Sequence, residues 1–208
     1  MKIIEINNIS KKYRKNGVLS DLSVSFNKGL CYMIIGANGV GKSTFLKCLL
    51  GLANITDGII IRNYSTLGYV PEKIILPTSV SVYEFLETIG LIKNIREYEL
   101  HKIIDFELSR WKMLEKRNAK IGSLSKGMMQ KIIIIQAIMN NSDLVVFDEV
   151  LNGLDINMQN MFFKIIKELK NKGTTIILTS HYPKQYKNVI DEVYEINEGN
   201  IKKIQKFD

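Results

Sequence analysis

The chain has 208 residues, 46% of them hydrophobic and 24% charged, a balance typical of a globular protein of about one domain. Its net charge of +8 is spread along the sequence, without a nucleic-acid-reading helix or a platform of basic and aromatic residues. No apolar run approaches the roughly 20 residues of a membrane-spanning helix, and the first residues lack a signal-peptide pattern. We therefore expect no nucleic-acid partner, and any role at a membrane has to come through another chain. Cys31 and Cys48 lie among apolar residues and are expected to be reduced core thiols.

The first 50 residues indicate strands, then a glycine-rich loop and a helix. Residues 2–6 and 22–26 are short apolar runs, and residues 16–17, Asn-Gly, are a turn signal between them. This pattern predicts an antiparallel β region at the N-terminus. Residues 29–35 are expected to form a compact apolar strand, and residues 42–50 the helix that follows the loop.

The middle of the sequence is predicted to be helical. Charged and apolar residues alternate between residues 71 and 118 in the pattern of short amphipathic helices. Residues 125–140 are apolar nearly all round, which predicts a buried helix. The isoleucines at residues 132–135 would also suit a strand, so periodicity alone leaves the choice open. The length of the segment and Ser125 as an N-cap favour the helix.

Strands and helices alternate in the last third of the sequence. Residues 144–147 are predicted to form a buried strand that ends in two acidic residues. An amphipathic helix is predicted over residues 156–170 and a further strand over residues 174–179. The succession of strand, helix and strand predicts an α/β fold in which helices pack on a parallel sheet.

A glycine-rich segment, residues 36–44, fits the pattern G-x-x-x-x-G-K-[ST]. Glycines let the backbone curl so that successive N–H groups point at phosphate oxygens, and the following helix adds the positive end of its dipole. A strand before the loop and a helix after it argue against a chance match. Kinases, GTPases, helicases and transporters share this loop, so other motifs must decide the reaction. The loop residues predicted to bind nucleotide, with Ser43 also offered to Mg²⁺, are Asn38, Gly39, Gly41, Lys42, Ser43 and Thr44.

Acidic residues end the strand at residues 144–147, at the edge where ligands bind in open α/β sheets. Asp148 is expected to hold Mg²⁺, and Glu149 to polarise the attacking water. The alternative is a strand that ends in solvated acids. His181 follows the next predicted strand and could reach the γ-phosphate and the water, although a lone histidine at such a place is more often a surface residue.

A second anion site is predicted where the buried helix begins, in the segment of residues 124–128, Leu-Ser-Lys-Gly-Met. Ser125 and the free N–H groups of the first helical turn can bind an anion there. The alternative is an ordinary helix cap, so this feature gains weight only in combination with the others.

Taken together, these motifs resemble those of the ABC ATPase family, over essentially the whole chain and in the same order. Residues 36–44 match its Walker A motif, and residues 124–128 resemble its signature Leu-Ser-Gly-Gly-Gln. Asp148 and Glu149 match Walker B with its catalytic glutamate. The other correspondences are a D-loop at Asn152-Gly153-Leu154-Asp155, the switch histidine at His181, and at Tyr13 the aromatic that stacks on adenine.

The resemblance implies a single ABC ATPase domain. Residues 1–72 and 131–208 would form a P-loop NTPase core, with a helical subdomain inserted at residues 73–130. The implied ligands are ATP and Mg²⁺. The chain would be cytoplasmic and peripheral on the inner face of the cell membrane, where it would work with separate transmembrane permease subunits.

The resemblance also implies a head-to-tail dimer of two ATPase chains that sandwiches two ATP molecules. Each nucleotide would lie between the P-loop of one chain and the signature of the other. Ser125 and Gly127 would therefore act on the nucleotide of the partner chain. Asp155 is also expected to bind nucleotide.

Four substitutions depart from the family pattern. Glu72 replaces the glutamine of the Q-loop and is expected to contribute a metal ligand. Lys126 and Met128 replace the first glycine and the glutamine of the signature, and Val150 replaces the proline after Walker B. The Glu72 loop and the altered signature resemble those of lantibiotic-type exporters, from which we expect export of a peptide, toxin or antibiotic.

Two other functions stay open at this point. Some ABC ATPases act in ribosome control, DNA repair or chromosome structure, usually with tandem domains, coiled coils or nucleic-acid arms that this sequence lacks. The altered signature would also suit a nucleotide-gated switch that binds ATP without turnover. Glu149 and His181 argue against the switch, because both hydrolytic groups are in place.

Overall fold

Two β-sheets form the framework of the protein in a computed structural model, which describes residues 1–14, 16–151, 154–180 and 183–204. The small antiparallel sheet contains β1 (Lys2–Tyr13), β2 (Asn16–Asn27) and β4 (Asp57–Arg62), with β1 in the middle. The large sheet contains β3 (Cys31–Ile35), β5 (Leu67–Val70), β6 (Leu144–Phe147), β7 (Thr175–Thr179), β8 (Glu192–Asn197) and β9 (Asn200–Ile204). Its strand order is β5-β6-β7-β3-β8-β9.

β1 and β2 form a hairpin whose strands extend well beyond the short apolar runs predicted from the sequence. Tyr13 pairs with Asn16, so Asn16 and Gly17 begin β2, and their prediction as the turn is wrong. Arg14 takes a left-handed conformation beside the turn, with φ at 53°. Pairing with β1 overrides the local turn preference of the Asn-Gly pair, because strand pairing depends on context more than on intrinsic propensity.

Of the strands described in the large sheet, β3, β5, β6, β7 and β8 run parallel to one another, and β9 runs antiparallel to β8. This confirms the predicted parallel sheet. β7 pairs with both β6 and β3, so the carboxyl ends of these three strands meet at one edge. The glycine-rich loop after β3 and the two acidic residues after β6 are thereby brought to the same side of the molecule.

The helices of the described residues occur where the sequence predicted helical segments. Ser125 caps the predicted buried helix through a hydrogen bond from the Met128 N–H to its hydroxyl, which confirms the helix over the strand alternative. Nowhere in residues 1–14, 16–151, 154–180 and 183–204 is a helix both long enough and apolar enough to cross a membrane. The helices are α1 (Lys42–Leu49), α2 (Val82–Ile92), α3 (Glu97–Arg110), α4 (Lys126–Ile138) and α5 (Ile156–Asn171).

The central strands β3, β6 and β7 are buried on both faces of the large sheet. Successive side chains of a strand point to opposite sides, so these strands contribute to two cores. Met33 and Phe147 face a core that includes buried side chains of α2 to α5. Ile34 and Val146 face a second core, built with α1 and the small sheet. Cys31 and Cys48 are buried thiols, one in each core, as the sequence predicted.

An ion-pair cluster joins α3 to α5. Arg110 Nη1 lies 3.0 Å from Glu107 Oε1, and its Nη2 lies 2.7 Å from Glu168 Oε2. Burial raises the pKa of the Glu107 carboxyl, and the charge of Arg110 opposes that rise.

The helices α2 and α3 fall within residues 73–130, although the boundaries of a helical subdomain stay a prediction.

Candidate active site

The glycine-rich loop connects the end of β3 to the start of α1 and needs its glycines for close approach. A Cβ on Gly36 would lie 2.5 Å from the Ile196 carbonyl oxygen, so no larger residue fits there. Gly41, at the N-cap of α1, has φ at 112°, a conformation that other residues rarely adopt. Within the described residues, no side chain caps α1. The N–H groups of its first turn are therefore available to an anion.

This loop forms the floor of an open cleft of about 410 Å³. Among the described residues that line the cleft, all but Val18 are site residues that the sequence predicted. The cleft thus brings together groups from the β1–β2 hairpin, the glycine loop, the segment after β5 and the segment after β6. Its lining consists of Tyr13, Val18, Asn38, Gly39, Gly41, Lys42, Ser43, Thr44, Glu72 and Glu149.

Lys42 places a buried positive charge in this cleft; the residue is only 7% exposed. Its ammonium donates hydrogen bonds to the carbonyl oxygens of Gly36 at 2.9 Å and Ala37 at 3.2 Å. The same nitrogen lies 3.8 Å from Glu149 Oε1. A buried ammonium beside a glycine-rich loop is suited to binding phosphate oxygens.

Asp148 and Glu149 are buried directly after β6, with exposures of 2% and 6%. The Asp148 N–H donates to the Val70 carbonyl at the end of β5, at 2.9 Å. The Glu149 N–H donates to the Thr179 hydroxyl oxygen at 3.0 Å. Glu149 is left-handed, with φ at 52°, a conformation that costs a residue with a side chain about 1–2 kcal/mol. The surrounding hydrogen bonds therefore hold this acid pair in a specific, strained geometry.

Glu72 lies on the exposed rim of the cleft, in the segment that follows β5. Nearby Tyr69 has its pKa raised to about 12, first by burial and then by the negative charges of Asp148 and Glu72. The Gln136 amide of α4 donates to the Tyr69 carbonyl at 2.7 Å. The strand that precedes Glu72 thus contacts the buried helix α4 through the Tyr69 carbonyl, and it contacts Asp148 through the Val70 carbonyl.

Tyr13 is 48% exposed at the mouth of the cleft. The Lys11 ammonium lies 4.6 Å from the centre of its ring. An aromatic face in this position is available for stacking on a planar ligand.

Three predicted nucleotide-binding residues lie outside the lining of this cleft, as far as the described residues define it. Ser125 caps α4 and is exposed, and Gly127 follows in the first turn of that helix. Asp155 caps α5 by accepting a hydrogen bond from the Met158 N–H at 2.9 Å. His181 and the D-loop residues 152–153 lie outside the described residues.

The donor set around the cleft fits Mg²⁺, which prefers oxygen ligands and commonly shares its shell with phosphates. Ser43 and Glu72 contribute oxygens to the cleft lining. Asp148 does not line the cleft itself, but it adds a buried carboxylate next to Glu149, which does. These three residues are the metal ligands predicted from the sequence.

Two residues that contribute to the candidate site, Val18 and Thr179, were not predicted from the sequence. Val18 lines the cleft and leaves little room for a side chain at Gly41, where an added Cβ would come within 3.0 Å of Val18 Cγ1. Thr179 contacts both members of the acid pair. The position of Thr179 at the end of a predicted strand was a usable signal, since neighbouring parallel strands end side by side.

A glycine loop at the carboxyl edge of a parallel sheet, with a buried lysine and a buried acid pair beside it, defines a nucleotide-binding protein of the P-loop class. The family model described as "ABC transporter" matches residues 19–152. The chain therefore belongs to the ABC transporter family, as an ATP-binding subunit.

Relatives and solved structures agree with this class. The chain is 32% identical over 196 residues to an uncharacterized ABC transporter ATP-binding protein of Methanocaldococcus jannaschii; the match covers 94% of this chain and 74% of that protein. A solved structure of an "ATP binding subunit of ABC transporter" superposes with a TM-score of 0.92 at 25% identity, covering 98% of this chain and 90% of the other. Members of this family are ATPases that work with membrane permease components and bind ATP, generally with Mg²⁺.

Other relatives differ in the direction of transport that their names state. The Nod factor export ATP-binding protein I of Burkholderia lata is 30% identical over 207 residues, covering 94% of this chain and 68% of that protein. A zinc import ATP-binding protein of Rickettsia bellii is 33% identical over 186 residues, covering 86% and 76%. These relatives are of varied transport types and do not single out the lantibiotic-type exporters.

Proposed function

We propose that this chain hydrolyses ATP at composite sites of a head-to-tail dimer and thereby drives a permease that exports a peptide, toxin or antibiotic. The cleft carries this proposal, because it collects the phosphate loop, a lysine and Glu149 within one open space. The rest of the proposed site comes from the second chain.

Within the cleft, Lys42 and the loop N–H groups would hold the phosphates of ATP, and Thr44 would add a contact. Lys42 would exchange its bonds to the Gly36 and Ala37 carbonyls for phosphate oxygens. Tyr13 would stack on the adenine ring from the open side, where half of its surface is exposed.

The hydrolytic groups are proposed at the carboxyl ends of β6 and β7. Ser43, Asp148 and Glu72 would hold Mg²⁺, which supplies positive charge to the phosphates when bound. Glu149 would orient and polarise the attacking water, and its burial beside Lys42 favours a fixed position. His181 would bond the γ-phosphate and the water.

The signature residues would complete the site of the partner chain. Ser125 and Gly127 lie at the exposed start of α4, apart from the cleft of their own chain. The helix start presents N–H groups, and Lys126 adds a positive charge beside them. Asp155, also exposed at a helix start, would lie at the contact between the two chains.

Mixing two inactive variants tests the composite site. Lys42→Ala removes the phosphate lysine, and Ser125→Arg blocks the signature, so each variant alone should lack ATPase activity. A mixed dimer can still assemble one intact site from the unmutated Lys42 of one chain and Ser125 of the other. We expect an equal mixture to recover roughly a quarter of wild-type turnover, because half of random dimers are mixed and each has one of two sites. An equal mixture that stays inactive while the two variants demonstrably pair would contradict the composite site.

Export is supported by Glu72 and by the Lys126-Gly127-Met128 signature, both features that resemble lantibiotic-type exporters. Inside-out membrane vesicles that contain the chain and its permease distinguish the direction of transport. Export predicts that these vesicles accumulate a labelled peptide when ATP is added outside. Accumulation of zinc or another solute only by right-side-out vesicles would favour import instead.

Replacing Glu72 tests whether this residue links the nucleotide site to the membrane partner. Glu72→Ala should leave ATP binding nearly intact and reduce cargo transport, because Glu72 lines the cleft and directly follows β5, the strand that bonds to both α4 and Asp148. Glu72→Gln should be milder, since it keeps the length of the side chain and restores the common family residue. The measurement is ATP hydrolysis and cargo movement together in reconstituted vesicles.

Glu87→Ala is a matched control for this test, because it removes a glutamate of α2 that lies outside the cleft lining. Transport by Glu72→Ala at the wild-type rate and the wild-type ratio per ATP would contradict a coupling role. A parallel loss in both alanine variants would point to a general effect of removing charge.

A further inference from the structure

We propose that Thr179 is a positioning residue for ATP hydrolysis, whose hydroxyl fixes the Asp148 carboxylate and the Glu149 backbone at the same time. The inference rests on the proposed roles of Asp148 and Glu149. Thr179 itself would touch neither nucleotide nor water.

The sheet register brings the three residues together. β6 and β7 are parallel neighbours in which Phe147 pairs with Leu178, so Asp148 and Thr179 follow side by side. The Thr179 hydroxyl donates to Asp148 Oδ1 at 2.7 Å. It also accepts the Glu149 N–H at 3.0 Å. Both contacts are buried, and Thr179 has no exposed surface.

Only a group that both donates and accepts can make this bridge. An ionised carboxylate offers only acceptors, and a backbone N–H offers only a donor. A hydroxyl satisfies both in a small volume. The β-branched threonine adds a restricted χ1 angle, which keeps the hydroxyl pointing in one direction.

The bridge matters because the Glu149 backbone is strained. A glutamate with φ at 52° has lower-energy conformations available, and it keeps this one only if its surroundings hold it. On one side the Val70 carbonyl holds the Asp148 N–H, and on the other side Thr179 holds the Glu149 N–H. Without the hydroxyl, Glu149 can relax away from the position from which it would act on water.

A matched set of variants separates this role from ordinary core packing. Thr179→Val keeps the shape and removes both hydrogen bonds, and Thr179→Ser keeps the hydroxyl. Thr175→Val is the control, because Thr175 lies on the same strand, is equally buried, and also accepts a backbone hydrogen bond, a partly buried one from the Gly29 N–H at 3.0 Å. It lies at the far end of β7, away from the cleft.

The measurements are kcat and KM for Mg·ATP, ATP affinity with and without Mg²⁺, and thermal stability of each purified variant. Thr179→Val should lower kcat about tenfold to a hundredfold, with KM changed less than about threefold. The increase in ATP affinity on adding Mg²⁺ should shrink, while the affinity in EDTA stays the same. Thr179→Ser and Thr175→Val should both keep kcat within about threefold of wild type.

Several results would overturn the inference. These are a Thr179→Val variant with wild-type kcat and Mg²⁺ response, a Thr179→Ser variant as slow as Thr179→Val, or a Thr175→Val variant that loses kcat to the same extent. If Thr179→Val does not fold, Thr179→Cys takes its place, because a thiol is similar in size and a weak hydrogen-bond donor. A wild-type chain without ATPase activity would instead contradict the proposed function, so the two failures are distinguishable.

Discussion

Replacing Lys42 by alanine is expected to reduce ATP turnover by at least about a hundredfold, the usual order for removing a preorganised charge from a transition state. ATP affinity should also fall, because the variant loses the buried cation of the phosphate loop. Phosphate release and binding of a fluorescent ATP analogue measure the two effects. Lys47→Ala is the control, since Lys47 belongs to the same helix but is exposed and lies outside the cleft lining.

Lys42 also bonds two loop carbonyls, so its loss changes the loop as well as the charge. Thermal unfolding of Lys42→Ala therefore belongs with the activity measurement. A folded Lys42→Ala variant that turns over ATP as fast as wild type would show that the cleft is not the hydrolytic site.

Replacing Glu149 by glutamine is expected to leave ATP binding intact and slow hydrolysis by about a hundredfold or more, as for loss of a general base. Glutamine keeps the length and the backbone N–H, so the bond to Thr179 can persist. Because the negative charge of Glu149 near Lys42 is lost, Lys42 should interact more strongly with the phosphates of ATP. The variant should therefore accumulate as an ATP-bound dimer, which light scattering detects as a doubled mass.

Glu195→Gln is the matched control, because it makes the same substitution at an exposed position of β8. It should hydrolyse ATP like wild type and show no stable dimer. Near-normal hydrolysis by Glu149→Gln would remove Glu149 from its proposed role and leave the base to another residue.

Much of the fold could be predicted because its signals are local. The strand at residues 144–147 and the helix capped by Ser125 depend on short apolar runs and on a capping side chain. β5 gave no such signal: it is four residues long and contains Gly68. That glycine is required by tertiary packing, since a Cβ there would lie 2.0 Å from the Ala137 carbonyl oxygen. Such a contact is invisible in the sequence.

The candidate site likewise combines residues that local motifs predict with residues that only the fold brings together. The glycine loop and the acid pair are contiguous motifs, so spacing alone located Lys42 and Glu149. Val18 reaches the cleft only because the hairpin folds over the loop, and Thr179 reaches Asp148 only through the β6–β7 register. Groups that meet through pairing of distant segments need the structure, even when each segment was predicted correctly.

Phosphate release by the purified chain in Mg·ATP, measured over a wide range of chain concentrations, tests the central claim most directly. A composite site formed by two chains predicts that phosphate is released, that EDTA stops the release, and that the rate per chain rises with concentration before it levels off. No phosphate release at any concentration, despite measurable ATP binding, would favour a nucleotide-gated switch. A rate per chain that does not depend on concentration, in a protein that light scattering finds monomeric throughout, would contradict the paired site.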